Sequence, residues 1–595
     1  MKKYKYIITL SIVAGGLLLD SCSKSFLERD PIGILTPELM ATRDGVNGLL
    51  VAAYGALDGQ QQDVAALGGG GPWEAAPTNW IYGSVAAGDA HKGSDAVDQP
   101  PISLIATGKL DPSNGFFNTK WKALYDGVAR TNAVLSVLKN VKELSDAEKK
   151  DIEGQARFLR GHYYFELKKM FDKIPWIDET TTDPKAVNTT DVWPNITADF
   201  KFAMDNLPPT QTEVGRANKW AAAAYLAKAY LYQKKFGEAI PIYTDVITSG
   251  VTSNGLKYGL TDRFEDNFDP VTKNNKESVF AIQMTANNGT NQISSSNQGE
   301  MLNFPYNSPF GCCGFYQPTQ ELVNSYRTDA AGLPMMDVYN LPANAVKSDL
   351  GVSPAAAFTP DAGNLDPRLD WTVGRRGIPY LDWGNHPGAA WVRLQSYGGP
   401  YAPKKNVYWQ YNQDKYKDAN SWAPGSAINV VLIRFSDVLL QAAEAEANNG
   451  SLAKAEGYVK LVRERAGKPQ TAVYTYVNPS APMGGFTNTP AAKYNVAPYP
   501  AGTFAAKGKD FALKAIYFER KLELAMEGQR YFDLVRWGIA DQVINAFFAY
   551  ESKLTSDLGG ASFKKGRNEY YPIPQRQIDL SLKGGTPTLE QNQGY

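Results

Sequence analysis

The feature that most constrains the fold is an alanine-rich pair of helical segments within residues 218–250. Residues 220–232 mix Ala with Tyr and Leu, and residues 236–247 carry apolar side chains at three- and four-residue spacing. Small side chains let two antiparallel helices approach closely, and about 34 residues is the length of a tetratricopeptide hairpin. Because such hairpins bury their apolar sides only by stacking on one another, the sequence predicts a stacked helical scaffold.

The same pattern recurs elsewhere in the chain. Residues 437–448 and 452–465 form a second predicted hairpin, with Ala442, Ala443 and Ala447 on its small face. Four earlier segments also have the periodicity of amphipathic helices: 46–57, 121–138, 152–170 and 192–207. The predicted fold class is therefore all-α, with the helical scaffold over about 37–250 and 428–595.

The middle of the chain, about 251–427, has a different composition. Gly, Pro, Asn and aromatic residues dominate there, and helical periodicity mostly fails. Long irregular insertions on a rigid scaffold commonly carry binding sites. We therefore expect this region to supply most of the ligand-binding surface, with residues 37–595 forming one domain.

The N-terminus has the pattern of an export signal. A basic start is followed by the short apolar run 7–19 and by Leu19-Asp20-Ser21-Cys22, which resembles a lipoprotein cleavage motif except at Asp20. We predict a signal peptide over 1–21, acylation of Cys22, and a polar tether over 22–36. The alternative is an ordinary secretory signal in which Cys22 is unmodified.

Charge and cysteine content exclude some classes of protein. Lys plus Arg and Asp plus Glu are both 61, so the basic surface of a nucleic-acid-binding protein is absent. Besides Cys22 only Cys312 and Cys313 occur, which rules out a disulfide framework. Adjacent cysteines favour a tight buried turn, and a vicinal disulfide is the alternative.

Catalytic and metal-binding motifs are missing. His91, His162 and His386 have no metal-ligand spacing, and neither a Gly-x-Ser-x-Gly motif nor an EF-hand is present. The glycine run 68–71 lacks the Lys-Ser/Thr of a phosphate loop and is interpreted as a turn. We predict no cofactor, no metal-ligand motif and no catalytic residue; bound calcium stays an alternative because many Asp residues lie in loops.

One acidic cluster needs a separate interpretation. Its three carboxylates recur every four residues and so line one helical face: Glu519, Glu523 and Glu527. Paired carboxylates could serve glycoside hydrolysis. Arginines are interleaved with them, however, and would hold the acids ionised: Arg520, Arg530 and Arg536. We favour a structural charge network.

Aromatic residues in loop-like segments suggest sugar binding in place of catalysis. The apolar face of a sugar ring stacks on Trp or Tyr, while its hydroxyl groups bond to polar side chains. A Gly/Pro-rich loop after the first helix and the irregular middle have this makeup. The glycan-binding candidates are Trp73, Asn79, Trp80, Tyr82, Asp89, Tyr306, Phe310, Phe315, Trp383 and Trp391. Packing beneath loops is the alternative for each of them.

Several motifs resemble hallmarks of the SusD/RagB family, in the family's order. They are the lipidated start 22–28, the helix 157–167 with Ile174-Pro175, Asp366-Pro-Arg-Leu369, 433–444 with 462–467, 519–537, and Tyr571-Pro-Ile-Pro574 with Gln591-Asn-Gln-Gly594. Together they extend from residue 22 to the C-terminus.

The resemblance implies a fold of tetratricopeptide-like hairpins and a lipoprotein that faces the cell exterior at the outer membrane. It also implies a SusC-like TonB-dependent transporter as partner and an oligosaccharide as the usual cargo. Peptide or glycopeptide capture, a surface glycoside hydrolase and a pure protein-binding scaffold remain as alternatives.

Overall fold

A computed structural model describes residues 38–59, 70–289, 295–307 and 309–595 of the protein. The predictions of a signal peptide, of acylation at Cys22 and of a tether lie outside these ranges. Of the glycine run, only Gly70 and Gly71 fall within them.

The described ranges are rich in helices. The helices before the irregular middle are α1 (Arg43–Gly55), α2 (Pro100–Ala106), α3 (Gly115–Leu138), α4 (Asp146–Phe171), α5 (Trp193–Asn206), α6 (Lys219–Tyr232) and α7 (Phe236–Ser249). The irregular middle has the short helices α8 (Gln320–Ser325), α9 (Arg368–Thr372), α10 (Gln395–Gly398) and α11 (Gln413–Tyr416). The helices after it are α12 (Phe435–Asn449), α13 (Leu452–Ala466), α14 (Thr503–Glu523), α15 (Arg530–Trp537), α16 (Ala540–Glu551) and α17 (Gln575–Leu580). This distribution confirms the predicted all-α class.

Both predicted hairpins are present. Helix α6 begins at Asn218, whose side chain accepts a hydrogen bond from the backbone N–H of Ala221 and so caps the first turn. Its alanines are buried, which allows α6 to pack closely on α5 and α7. Helix α7 packs in turn on α12, and α12 packs on α13 and α14. The hairpins therefore stack into one continuous scaffold.

The strands are short and pair antiparallel. They are β1 (Ala90–Gly93), β2 (Ser278–Ile282), β3 (Phe315–Pro318), β4 (Val373–Gly374), β5 (Ala402–Pro403), β6 (Val430–Arg434), β7 (Tyr474–Tyr476) and β8 (Phe486–Pro490). The pairs are β1–β3, β2–β6, β4–β5 and β7–β8. Within the described ranges, no helix is both long and apolar enough to cross a bilayer.

The acidic cluster at the end of α14 is a buried charge network, as predicted. Glu519 and Glu523 are completely buried. Glu523 accepts hydrogen bonds from Arg368 at 2.7 Å and also from Arg434 and Arg465. Burial alone would raise the pKa of Glu523, but the three guanidinium groups outweigh it and hold the pKa well below its usual range.

The partners of these acids correct the sequence interpretation. Arg520 and Arg536 point away from Glu523: Arg520 bonds to Asp437 at 2.7 Å, and Arg536 bonds to Glu444 at 2.8 Å. Arg520 and Arg536 were therefore the wrong partners for these acids, because their helices present them to other carboxylates. The true partners come from distant segments: Arg368 of the irregular middle bonds to Glu523, and Arg434 bonds to both Glu523 and Glu277 of the middle.

Candidate functional site

Most of the predicted glycan contacts are buried in the structure. Six of the ten candidates are buried: Asn79, Trp80, Tyr82, Asp89, Phe310 and Phe315. Trp80 donates its indole N–H to the carbonyl of Gly299 at 2.9 Å, and its ring meets Phe315 edge-on. The Gly/Pro-rich loop is folded into the protein, which composition alone did not reveal.

The polar members of this group bond to neighbouring side chains. Asn79 donates to the Glu166 carboxylate at 2.9 Å, while its amide oxygen is buried without a hydrogen-bond partner among the described residues. Asp89 accepts from Ser84 at 3.1 Å, and burial raises its pKa to about 6. These residues hold the loop in place.

The other candidates lie nearer the surface. Trp73, Tyr306, Trp383 and Trp391 are half-buried. The buried Phe310 supports two of them, with its ring centroid 4.7 Å from that of Trp383 and 6.3 Å from that of Trp391. Trp383 donates its indole N–H to the carbonyl of Tyr408, which fixes the orientation of its ring.

Sequence reasoning missed one exposed tryptophan. Trp422 is 69% exposed, and its ring meets that of Trp73 edge-on at 6.4 Å. Its position in a Pro/Gly-rich loop, Ser421-Trp-Ala-Pro-Gly425, was the available signal. We call the set Trp73, Tyr306, Trp383, Trp391 and Trp422 the aromatic face.

Residues 295–307 connect the two parts of the aromatic face. The turn Gln298–Glu300 packs on Pro72–Ala75, which carries Trp73. Farther along, the backbone N–H of Tyr306 donates to the carbonyl of Trp391 at 3.0 Å. One short segment therefore positions rings from the first loop and from the irregular middle.

Polar groups accompany these rings. The Arg393 guanidinium lies 5.4 Å from the centroid of the Tyr306 ring and is held by Asp95 and Asp98. In the same segment, both amide atoms of Asn303 are buried without a hydrogen-bond partner among the described residues. Unpaired buried amides are rare in native proteins, and they commonly bond to water or ligand.

Cys312 and Cys313 lie beside Phe310 and are joined by a disulfide. The sequence favoured a tight turn over a vicinal disulfide, and the structure instead shows the disulfide, within a turn. Gly311 and Gly314, which flank the pair, both adopt positive φ angles of 80° and 76°. The turn thus requires glycine on either side.

The three histidines have structural environments. His91 lies between Asp557 and Glu551 at 2.8 and 3.1 Å; burial would lower its pKa, but these carboxylates raise it to about 10. His162 bonds to Tyr225, and His386 accepts from the backbone N–H of Gly388. Among the described residues no group of His, Cys, Asp or Glu is arranged to hold a metal ion.

Comparison with known proteins identifies the family. A model of the SusD family matches residues 276–595, which is more than half of the chain. The chain belongs to the SusD family. A second model, described as starch-binding associating with outer membrane, matches residues 89–231.

Relatives of this SusD-family protein match it over most of its length. SusD-like protein P2 of Formosa agariphila is 25% identical, over 91% of this chain and 92% of the relative. Surface glycan-binding protein A of Bacteroides thetaiotaomicron, solved in complex with laminarihexaose, superposes with a TM-score of 0.62 at 20% identity, over 93% of this chain and 99% of the other. A laminarin-binding SusD-like protein gives a TM-score of 0.60 at 22% identity, over 93% and 100%. The solved structures establish the shared fold.

Proposed function

We propose that this SusD-family protein binds an oligosaccharide on the aromatic face and delivers it to a SusC-like TonB-dependent transporter. In this proposal the protein is anchored in the outer membrane through a lipid on Cys22 and faces the cell exterior. The observation that carries the proposal is the pair of ring contacts at the surface: Trp383 and Trp391 lie beside Phe310, and the exposed Trp422 meets Trp73.

The chemistry of the aromatic face fits a sugar better than a charged ligand. The ring faces of Trp383, Trp391 and Trp422 offer apolar surfaces for the C–H faces of pyranose rings. The Arg393 guanidinium, which is 34% exposed beside the Tyr306 ring, supplies donors for hydroxyl groups. Because Trp383 is fixed by Phe310 and Tyr408, little side-chain entropy is lost when a sugar stacks on it.

The comparisons support the ligand class. One relative of the same fold was solved with laminarihexaose, and another binds laminarin. Since identities to these proteins are near 20%, they support a glycan as the cargo and leave its linkage and length open.

Binding without catalysis is part of the proposal. Glycoside hydrolysis requires two carboxyl groups on either side of the scissile bond. Glu519 and Glu523 are fully buried in ion pairs. Glu265 lines a surface cleft and burial raises its pKa to about 7, but no second carboxylate lines that cleft among the described residues.

Capture beside a transporter suits modest affinity. A lipid-anchored protein held next to its transporter keeps the bound glycan at high local concentration, so transfer does not require tight binding. Stacking contacts form and release without covalent chemistry, which allows the cargo to be handed over.

Affinity electrophoresis tests the proposal. The protein is run through gels containing plant, microbial or host polysaccharides, with laminarin among them. Trp383→Ala and Trp422→Ala are compared with Trp220→Ala, which removes a half-buried ring of α6 outside the aromatic face. Loss of one stacking ring is expected to weaken binding roughly tenfold, from about 1–1.5 kcal/mol per aromatic contact.

Retardation by at least one polysaccharide, reduced in both aromatic-face variants and retained in Trp220→Ala, would support the proposal. A lack of retardation by every glycan would contradict it and make a peptide the next cargo to test. Release of reducing sugar from a bound polysaccharide would contradict the non-catalytic part.

A further inference from the structure

A second aromatic site is lined by Leu381, two residues before Trp383 in the chain. Trp371, Trp409 and Phe486 form its ring walls, and Leu381 and Val473 complete them. The centroids of Trp371 and Trp409 are 6.5 Å apart, and those of Trp409 and Phe486 are 6.2 Å apart with their planes perpendicular. We call this the ring cleft; it shares no residue with the aromatic face.

The ring cleft is held open by secondary structure. Trp371 belongs to α9, and Phe486 is the first residue of β8, in the hairpin β7–β8. Tyr476 of β7 donates its hydroxyl to the carbonyl of Leu381 at 2.7 Å, which fixes the hairpin over the cleft. Phe486 is 38% exposed, so the cleft opens to solvent beside it.

Most polar groups of the walls already have partners. Trp371 donates its indole N–H to the carbonyl of Thr471 at 2.7 Å, and Tyr474 donates its hydroxyl to the carbonyl of Pro469 at 2.8 Å. The ammonium group of Lys404 donates to two backbone carbonyls, at 2.5 and 2.8 Å. Of the other polar lining residues, Arg263 is half-exposed and Gln470 is exposed to solvent.

Glu265 is the exception. It is 5% exposed, and its Oε1 atom accepts from Arg263. Its Oε2 atom is buried and has no hydrogen-bond partner among the described residues. A buried acceptor without a partner is costly unless a ligand or water bonds to it. The cleft therefore presents one buried acceptor within apolar walls.

We propose that the ring cleft binds a phenolic ring, whose hydroxyl donates to Oε2 of Glu265 while its ring packs against Trp409 and Phe486. A phenol has one apolar ring and one hydroxyl, which matches the buried acceptor Oε2 of Glu265 beside the ring walls. A pyranose has several hydroxyls, most of which would lose their hydrogen bonds in these walls. The cleft volume of about 220 Å³ exceeds the roughly 150 Å³ of an apolar cavity that admits benzene.

Saturation-transfer NMR with 4-methylphenol tests this site on the purified protein. Toluene is the matched probe, because it keeps the ring and lacks the hydroxyl. A hydrogen bond to a carboxylate is worth roughly a tenfold change in affinity or more, so toluene is expected to bind at least tenfold more weakly. Methyl α-D-glucopyranoside serves as the sugar competitor.

Three variants locate the binding. Phe486→Ala is expected to weaken 4-methylphenol at least roughly fivefold, from about 1 kcal/mol of lost ring contact. Glu265→Leu is expected to bring 4-methylphenol to the affinity of toluene and to leave toluene within about twofold. Arg263 loses its ion-pair partner in this variant, but its side chain is half-exposed and so remains hydrated. Trp220→Ala is the control and is expected to match the wild type.

Several results would overturn the proposal. They are the absence of saturable 4-methylphenol binding to the wild type, equal affinity in Phe486→Ala, or displacement of 4-methylphenol by the methyl glucoside. Equal weakening of both probes by Glu265→Leu, in a variant that melts like the wild type, would refute the role of Oε2. Because no polysaccharide is used, failure here is distinguishable from failure of glycan binding on the aromatic face.

Discussion

The Glu523→Ala substitution tests the buried charge network directly. Glu523 is completely buried and is bonded by Arg368, Arg434 and Arg465. Truncation leaves three guanidinium groups in the core with one fewer counter-charge. Removing one partner of a buried ion pair costs about 3–5 kcal/mol, because the remaining charge is uncompensated. Three such partners place the expected loss near the upper end, about 5 kcal/mol.

The size of the thermal shift follows from the length of the chain. Unfolding entropy is about 2.1 cal/mol/K per residue, so a cooperative unit of 595 residues has roughly 1.2 kcal/mol/K. A loss of about 5 kcal/mol then lowers Tm by about 4 °C. Scanning calorimetry of both proteins at pH 7 measures this difference.

Glu464→Ala is the matched control. Glu464 is on α13, its carboxylate is 46% exposed, and it pairs with Lys460 at 3.6 Å. Exposed pairs contribute about 0–1 kcal/mol, so this variant is expected to melt within about 1 °C of the wild type. An unaltered Tm in Glu523→Ala, or equal shifts in the two variants, would refute the claim that these ion pairs stabilise the fold.

The same network gives a pH dependence. Because the pKa of Glu523 is well below its ordinary 4.5 in the folded protein, its ion pairs stabilise fully above that ordinary value and lose their effect as pH falls toward the folded pKa. The difference in Tm between wild type and Glu523→Gln is therefore expected to be constant above about pH 5 and to narrow below it. A difference that widens on acidification would contradict this assignment.

Three further predictions concern other buried groups. Trp80→Ala empties a core site and is expected to lower the free energy of unfolding by about 3–5 kcal/mol, as measured by calorimetry. Glycan retardation of the folded variant is expected to be unchanged. Lost retardation in a variant with the wild-type Tm would contradict the burial of Trp80. The pKa of His91 is about 10, so the stability gap between wild type and His91→Gln is expected to shrink as pH rises from about 6.5 to 10, and a gap independent of pH would contradict a charged His91. Cys312 and Cys313 are joined and are expected to resist alkylation until a reductant is added; mass spectrometry of their peptide checks this, and labelling without reductant would contradict the bond.

The scaffold was predictable because its pattern is local. Alanines at close spacing in α6, with Asn218 as N-cap, mark both the helix and its close neighbour. Periodicity reports which side of a helix is apolar. It does not report which distant residue meets a buried charge, so Arg368 and Arg434 were not identified as partners of Glu523.

The aromatic site was only partly predictable, for a related reason. Composition places Trp80 and Trp422 in equivalent Gly/Pro-rich loops, but one is fully buried and the other is 69% exposed. The difference depends on a contact across the chain, the hydrogen bond from Trp80 to Gly299. Such contacts between distant segments leave no local signal in a single sequence.

The buried charges and the aromatic face are linked through the irregular middle. That region has only short strands, so regular backbone ladders contribute little to its rigidity. Arg368 connects it instead to Glu523 at the end of α14, and Glu277 connects it to Arg434, which donates to Glu277 at 3.0 Å and also bonds to Glu523. Buried ion pairs with several hydrogen bonds each fix a single arrangement of the segments that carry them. Rings mounted on such segments stay in place before a ligand arrives, which lowers the entropic cost of stacking.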